Sequence, residues 1–128
     1  MISTLIVDDE EDLCDFLAGI LRERMGLDVK FALSGEEALR LIHEREWHIA
    51  LIDLKLVTAV TGLDVIKAIR DQWPRAIVLA MTGYVDVGLR QKAEKLGVAD
   101  YLEKPDDIEP NVLIDKIQAL ISKDKKLQ

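Results

Sequence analysis

An α/β fold, a parallel sheet with helices on both faces, is predicted by three observations. Short apolar runs alternate five times with longer segments of helical period. Several of those runs are apolar throughout, as strands covered on both faces require. Each run then stops abruptly at polar residues. A length of 128 residues favours one domain, large enough to bury roughly two-thirds of its unfolded surface.

The first run, Thr4-Leu5-Ile6-Val7, stops at Asp8-Asp9, and Leu13, Phe16, Leu17, Ile20, Leu21 and Met25 then recur at helical spacing. Val29, Phe31 and Leu33 alternate as a short, edgeward strand. Ser34-x-x-Glu37 is a capping box, which opens a helix carrying Ala38, Leu41 and Ile42. Ile49 to Ile52 read as a central strand ending in Asp53, and Leu63, Ile66 and Ile69 mark the third helix. Ala76 to Met81 form a fourth strand stopped by Thr82-Gly83. A weak helix with an interior Gly88 follows and ends at Gly97. Tyr101-Leu102 is a fifth, short strand before Lys104-Pro105, and Val112, Ile114, Ile117, Leu120 and Ile121 give the last helix its apolar face. Residues 123–128 read as a polar tail beyond a domain spanning 1–122, with no second hydrophobic block and no linker among the 128 residues.

With 49% apolar and 32% charged residues, and only 7 Gly and 3 Pro, the composition is that of a globular chain and not a disordered one. A net charge of −7 repels phosphate backbones, so direct nucleic-acid binding is not expected. The single cysteine, Cys14, has no internal partner and falls in a helix's apolar pattern, as a small buried hydrophobe would. There is no signal-peptide pattern and no apolar run near the roughly 18 residues that span a bilayer. A cytoplasmic chain without membrane insertion is the expectation.

In a parallel α/β sheet the carboxyl ends of the strands share one rim, where ligands bind. Asp8, Asp9, Asp53, Thr82 and Lys104 all follow or end strands and therefore converge there. Three carboxylates in one crevice repel one another unless a cation offsets them. With no His or Cys in the set, the donors favour a hard ion such as Mg²⁺. Taken alone, Asp8-Asp9 could equally be a polar turn at a helix N-terminus. His43 and His48 lie off the rim and read as a solvated helix end and strand start. Trp47 and Trp73, near helix ends, read as covers for the core.

These pieces, Ile6-Val7-Asp8-Asp9-Glu10, Leu51-Ile52-Asp53-Leu54, Thr82-Gly83 and Tyr101-Leu102-x-Lys104-Pro105, together resemble the receiver domain of bacterial two-component response regulators, over essentially the whole chain. The resemblance implies a flavodoxin-like (βα)5 doubly wound fold with strand order 2-1-3-4-5, the order for which a member of that family is a standard example. It implies that Asp53 takes a phosphoryl group from a sensor histidine kinase, a phosphotransfer protein or a small acyl phosphate. Mg²⁺ would be held by Asp8, Asp9, Asp53 and the Lys55 backbone carbonyl. Lys104 would pair with a phosphoryl oxygen, and its bond to Pro105 would be cis. Thr82 would hydrogen-bond the phosphoryl group, and Tyr101 would move with it as a switch. The fourth helix, fifth strand and last helix would then present a remodelled face to a downstream effector, or to a second copy in a homodimer. Such a chain assists its own phosphorylation and dephosphorylation but is not an enzyme. Lys55 and Tyr84, two residues after Asp53 and Thr82, would border the path of the hydrolytic water and shield the phosphate.

Three departures from the family pattern are visible. Val57 stands where a proline is usual and Gly62 lies nine residues after Asp53 instead of eight, which implies a longer loop; Asp106 stands where an aromatic commonly follows Lys-Pro. Two rival functions compete. A haloacid-dehalogenase-type phosphatase needs a second acid two residues after the nucleophile, where this chain has Lys55. A non-phosphorylated receiver-like binding module would have no need of the full polar set.

Overall fold

The computed structural model describes residues 1–83, 86–124 and 127. Strand β1 (Ser3–Val7) leads to helix α1 (Glu11–Met25), β2 (Asp28–Ala32), α2 (Gly35–Ile42), β3 (Ile49–Asp53), α3 (Gly62–Gln72) and β4 (Ile77–Thr82). Then come α4 (Val87–Lys95), β5 (Asp100–Glu103), a 3₁₀ turn (Asp106–Ile108) and α5 (Pro110–Lys123). The five strands form one parallel sheet in the order β2-β1-β3-β4-β5, as expected from the resemblance.

Because side chains alternate along a strand, each apolar run feeds two cores. Leu5, Val7, Ala50, Ile52, Val78 and Ala80 pack with Ala38, Ile42, Val65, Ile66, Ile69 and Ala93 of α2, α3 and α4. Ile6, Leu51, Leu79 and Met81 pack on the opposite face with Cys14, Leu17, Leu21, Leu113 and Ile117 of α1 and α5. Each such Leu, Ile or Val contributes roughly 1.5–3 kcal/mol relative to exposure. Cys14 is wholly buried and its thiol is pushed up to about 12, first by burial and then by the charge of Asp8. It behaves as the small hydrophobe its position predicts. Phe16, read as part of the α1 stripe, instead remains 48% exposed, because Cys14, Leu17, Ala18 and Leu21 already fill the buried i, i+3, i+4, i+7 face.

Helix ends follow local chemistry. Gly26, at φ +65°, closes α1 in the left-handed conformation that its N–H to Arg22 carbonyl bond requires. Ser34 caps α2 by accepting from the Glu37 N–H at 3.1 Å, which is one half of the capping box the sequence predicts. A second, fully reciprocal capping box, Thr61 with Asp64, opens α3 and was not read from the sequence. Gly88 is the second residue of α4, in its first turn and not the helix interior. The indoles of Trp47 and Trp73 donate to the carbonyls of Leu41 and Ile42, so both covers also satisfy the last turn of α2. His48, read as solvated, accepts the Ser3 N–H on Nδ1 at 2.9 Å and pins the start of β1.

The outer strands are occupied by side chains from the layers that cover them. On β2, the Val29 carbonyl accepts from Arg22 of α1 at 2.6 Å. On β5, the Tyr101 carbonyl accepts from Lys116 of α5 at 2.8 Å, and the Glu103 N–H donates to Asp107 at 2.9 Å. Lys116 and Asp107 are themselves paired at 3.1 Å.

Candidate functional site

At the carboxyl rim of β1, β3 and β5 lies a crevice of about 290 Å³ lined by Asp9, Glu10, Asp53, Lys55, Val57, Gly83 and Lys104. A second hollow, about 250 Å³, sits at the opposite end among Glu46, Trp47, His48, Arg75, Asp124 and Leu127. Among the described residues, only the rim gathers three carboxylates whose oxygens all lie within 4.8 Å of one another: Asp8, Asp9 and Asp53.

The sheet fixes these groups. Asp8 follows β1, its N–H bonded to the Ala32 carbonyl of β2, and its carboxylate is fully buried. One oxygen of Asp8 accepts the Glu10 N–H at 2.9 Å and the other accepts the Lys104 ammonium at 2.6 Å. Asp53 ends β3 beside Met81 of β4, and its Oδ1 accepts the Lys55 N–H at 3.0 Å. Its Oδ2 stands 3.7 Å from Lys104 Nζ. Lys104 is held in turn by its own N–H, which donates to the Thr82 carbonyl at 2.8 Å, and its bond to Pro105 is cis. Thr82 is buried at the end of β4. The structure thus brings Asp8, Asp9, Asp53 and Lys104 together and places Thr82 at the neighbouring strand end. Tyr84 lies outside the described residues.

Electrostatics follow burial and neighbours. The Asp53 carboxyl is raised above its ordinary range by burial, then by the charges of Asp8 and Asp9, against the opposing Lys55 N–H and Lys104. For Lys104 burial opposes the charge, but the Asp8 hydrogen bond and the charges of Asp53, Asp8 and Glu10 outweigh it and raise the ammonium. An oxygen-only set of this kind, with excess negative charge and a raised carboxyl, suits a hard divalent cation such as Mg²⁺.

The raised carboxyl predicts a stability effect. A carboxyl harder to ionise when folded than when unfolded favours the unfolded state as pH rises from the ordinary Asp value through the folded one, and the deficit persists above. Asp53→Asn in metal-free buffer at pH 7 is therefore expected to raise Tm by a few degrees, with Lys104 still paired to Asp8. The gain should close below about pH 4, where both states of the parent are protonated. Thermal unfolding across pH tests this; an Asn variant no more stable than the parent at pH 7 would contradict it.

The loop after Asp53 absorbs its additional residue by docking on the start of α2. The Gly35 N–H donates to Thr58 Oγ1 at 3.2 Å, Thr58 donates to the Val60 carbonyl at 2.7 Å, and the Val60 N–H donates to Glu36 at 2.9 Å. Val57, standing where a proline would lack an N–H, uses that group to bind the Asp9 carboxylate at 3.2 Å. Its side chain is 86% exposed at the crevice mouth.

Tyr101 lies against α4, its hydroxyl donating to the Arg90 carbonyl at 3.0 Å. The Arg90 guanidinium stacks 4.1 Å from the ring centroid and reaches Glu103 at 3.1 Å. The Tyr101 phenol is raised by burial and by Glu94, against Arg90. Arg90, Asp107 and Lys116 escape a sequence reading because charged residues on helices and turns look like solvated faces until topology supplies their partners.

Residues 4–118 match the family model for the response regulator receiver domain. The transcriptional regulatory protein ZraR of Escherichia coli O157:H7 is 35% identical over 122 residues, which cover 95% of this chain but 26% of ZraR. The chain spans about a quarter of the length of that relative and of an NtrX-like response regulator from Rickettsia bellii. Among solved structures, a CheY-like receiver domain protein from Methanospirillum hungatei JF-1 superposes with a TM-score of 0.90 at 26% identity, covering 100% of this chain and 99% of that one. A response regulator from Burkholderia pseudomallei, with a phosphorylated aspartic acid, a calcium ion and citrate, matches with a TM-score of 0.78 at 32% identity, covering 93% and 72%.

Proposed function

This chain belongs to the response regulator receiver domain family, and on that premise we propose that Asp53 accepts a phosphoryl group from a sensor histidine kinase or a phosphotransfer protein. The observation that carries the reading is the convergence of Asp8, Asp9 and Asp53 within 4.8 Å of one another, with Lys104 3.7 Å from Asp53. The Burkholderia relative, described with a phosphorylated aspartic acid and a calcium ion, supports an aspartate as the acceptor.

The Lys55 N–H holds Asp53 Oδ1 and leaves Oδ2 facing Lys104, so Oδ2 attacks phosphorus as the bond to the donor's imidazole nitrogen or acyl oxygen breaks. The product is an aspartyl phosphate and a released imidazole or carboxylate. Mg²⁺, held by Asp8, Asp9, Asp53 and the Lys55 backbone carbonyl, would offset the negative charge gathered at the transferring group. Lys104 and the Thr82 hydroxyl bind phosphoryl oxygens. Catalysis here is positioning and charge stabilisation, and the domain is a signalling phosphoacceptor, not a classical enzyme.

Output follows through the face of α4, β5 and α5, where Tyr101 is held by Arg90, itself paired with Glu103. Movement of Thr82 toward the phosphoryl group frees Tyr101 to change its packing, and a downstream effector, or a second copy forming a homodimer, reads the result. Residues 1–122 are taken as this unit, with the last helical residue, Lys123, just beyond that boundary. The acidic 128 residues do not bind nucleic acid themselves. No helix among the described residues is long and apolar enough to cross a membrane, which fits a cytoplasmic setting.

Incubation with Mg²⁺ and a small acyl phosphate is expected to add one phosphoryl group by intact mass, with no addition to Asp53→Asn and none in the presence of a chelator. A parent protein that gains nothing favours the non-phosphorylated binding module. An Asn variant that gains the group equally would move the acceptor elsewhere.

A further inference from the structure

Across the crevice mouth from Asp53, Asp86 makes two contacts with one carboxylate. Its Oδ1 accepts the Leu89 N–H at 3.0 Å and caps α4. Its Oδ2 lies 3.8 Å from the Lys55 ammonium. The root of Lys55 is fixed, because its backbone N–H holds Asp53 Oδ1, and its side chain lines the crevice. The first turn of α4 contains no acidic residue, so Asp86 is the anion serving the positive end of that helix. Lys55 therefore bridges the loop after the phosphoacceptor to the start of α4.

We infer that Asp86 is a positioning residue for Lys55, holding its ammonium on the α4 side of the crevice and thereby limiting how far Lys55 shields a phosphoryl group on Asp53. This rests on the phosphoacceptor reading and adds a regulator of its lifetime. A phosphoryl group brings nearly two negative charges to a crevice that Lys55 already lines. The ammonium then divides between the phosphoryl oxygens and Asp86. Loss of the Asp86 charge shifts it toward the phosphate, where it crowds the approach of the hydrolytic water. Coupling is reciprocal, so phosphorylation also withdraws a cation from the α4 cap.

Asn caps a helix about as well as Asp, so Asp86→Asn removes the charge and keeps the helix. After labelling with a small acyl phosphate and Mg²⁺, Asp86→Asn is expected to lose phosphate two- to fivefold more slowly than the parent, the range of an exposed ion pair. The difference should shrink at high salt. In a Lys55→Met background the same substitution should have no effect, which a merely structural role for Asp86 would not produce. Equal loss rates in parent and Asp86→Asn, with both labelled, would overturn the inference alone. Equal slowing with and without Lys55 would also overturn it. A parent that takes up no phosphoryl group would overturn both this inference and the phosphoacceptor reading.

Discussion

Lys104→Met is expected to slow phosphorylation of Asp53 by a small acyl phosphate about a hundredfold, the typical loss when one preorganised charge-stabilising donor is removed. It should also make the metal-free protein about 3 kcal/mol less stable, because removing one partner of a buried pair strands the other. Asp8 is fully buried and Lys104 only 15% exposed, and they meet at 2.6 Å. The two losses should respond oppositely to Mg²⁺. A cation among the three carboxylates takes over the ammonium's role toward Asp8, so urea midpoints of variant and parent should converge as Mg²⁺ is added. The transfer rate should not recover, because in the proposed mechanism the ammonium acts on the phosphoryl oxygen. Lys104 also competes with the metal for Asp8, so the variant should bind Mg²⁺ more tightly than the parent. Equal transfer rates would remove Lys104 from the reaction. A stability deficit unmoved by Mg²⁺ would separate Asp8 from the cation.

A structural effect of comparable size is expected from a single methyl group. A Cβ on Gly62 would press into the Asp53 carbonyl oxygen and stand 2.9 Å from Leu54 Cα, both backbone atoms that cannot swing aside. Gly62→Ala is therefore expected to cost about 2–3 kcal/mol, roughly a 10 °C fall in Tm for a domain of this size. It should also push the end of β3 away from Lys104 and slow phosphorylation. Gly19, inside α1 with nothing within 4 Å of an added Cβ, is the control: Ala there should stabilise by about 0.5–1 kcal/mol. A Gly62→Ala protein with the parent's Tm would show that α3 can shift without penalty.

The sheet and the rim were legible because both derive from the strands. Apolar runs predict parallel strands, and the polar residue ending each run must lie on the shared edge, so Asp8, Asp9, Asp53, Thr82 and Lys104 could be gathered without coordinates. What escaped depends on packing between segments far apart in sequence. The Thr61 and Asp64 box was hidden inside a loop read only as longer than usual, and that loop's docking on Gly35 and Glu36 requires knowing that α2 and α3 are neighbours. The approach of Asp86 to Lys55 spans 31 residues across two strand ends. Phe16 was misread because periodicity marks an apolar stripe without fixing its width, and α1 buries a narrow one.

A parallel sheet of five strands has two margins, and each margin is a row of amide groups on which another chain's strand could crystallise. Here Arg22 occupies the Val29 carbonyl on one side, while Lys116 and Asp107 occupy Tyr101 and Glu103 on the other. Ordered polymerisation by strand addition must first evict charged side chains that are anchored in helices and turns. Occupied edge groups of this kind hinder the route toward fibrils.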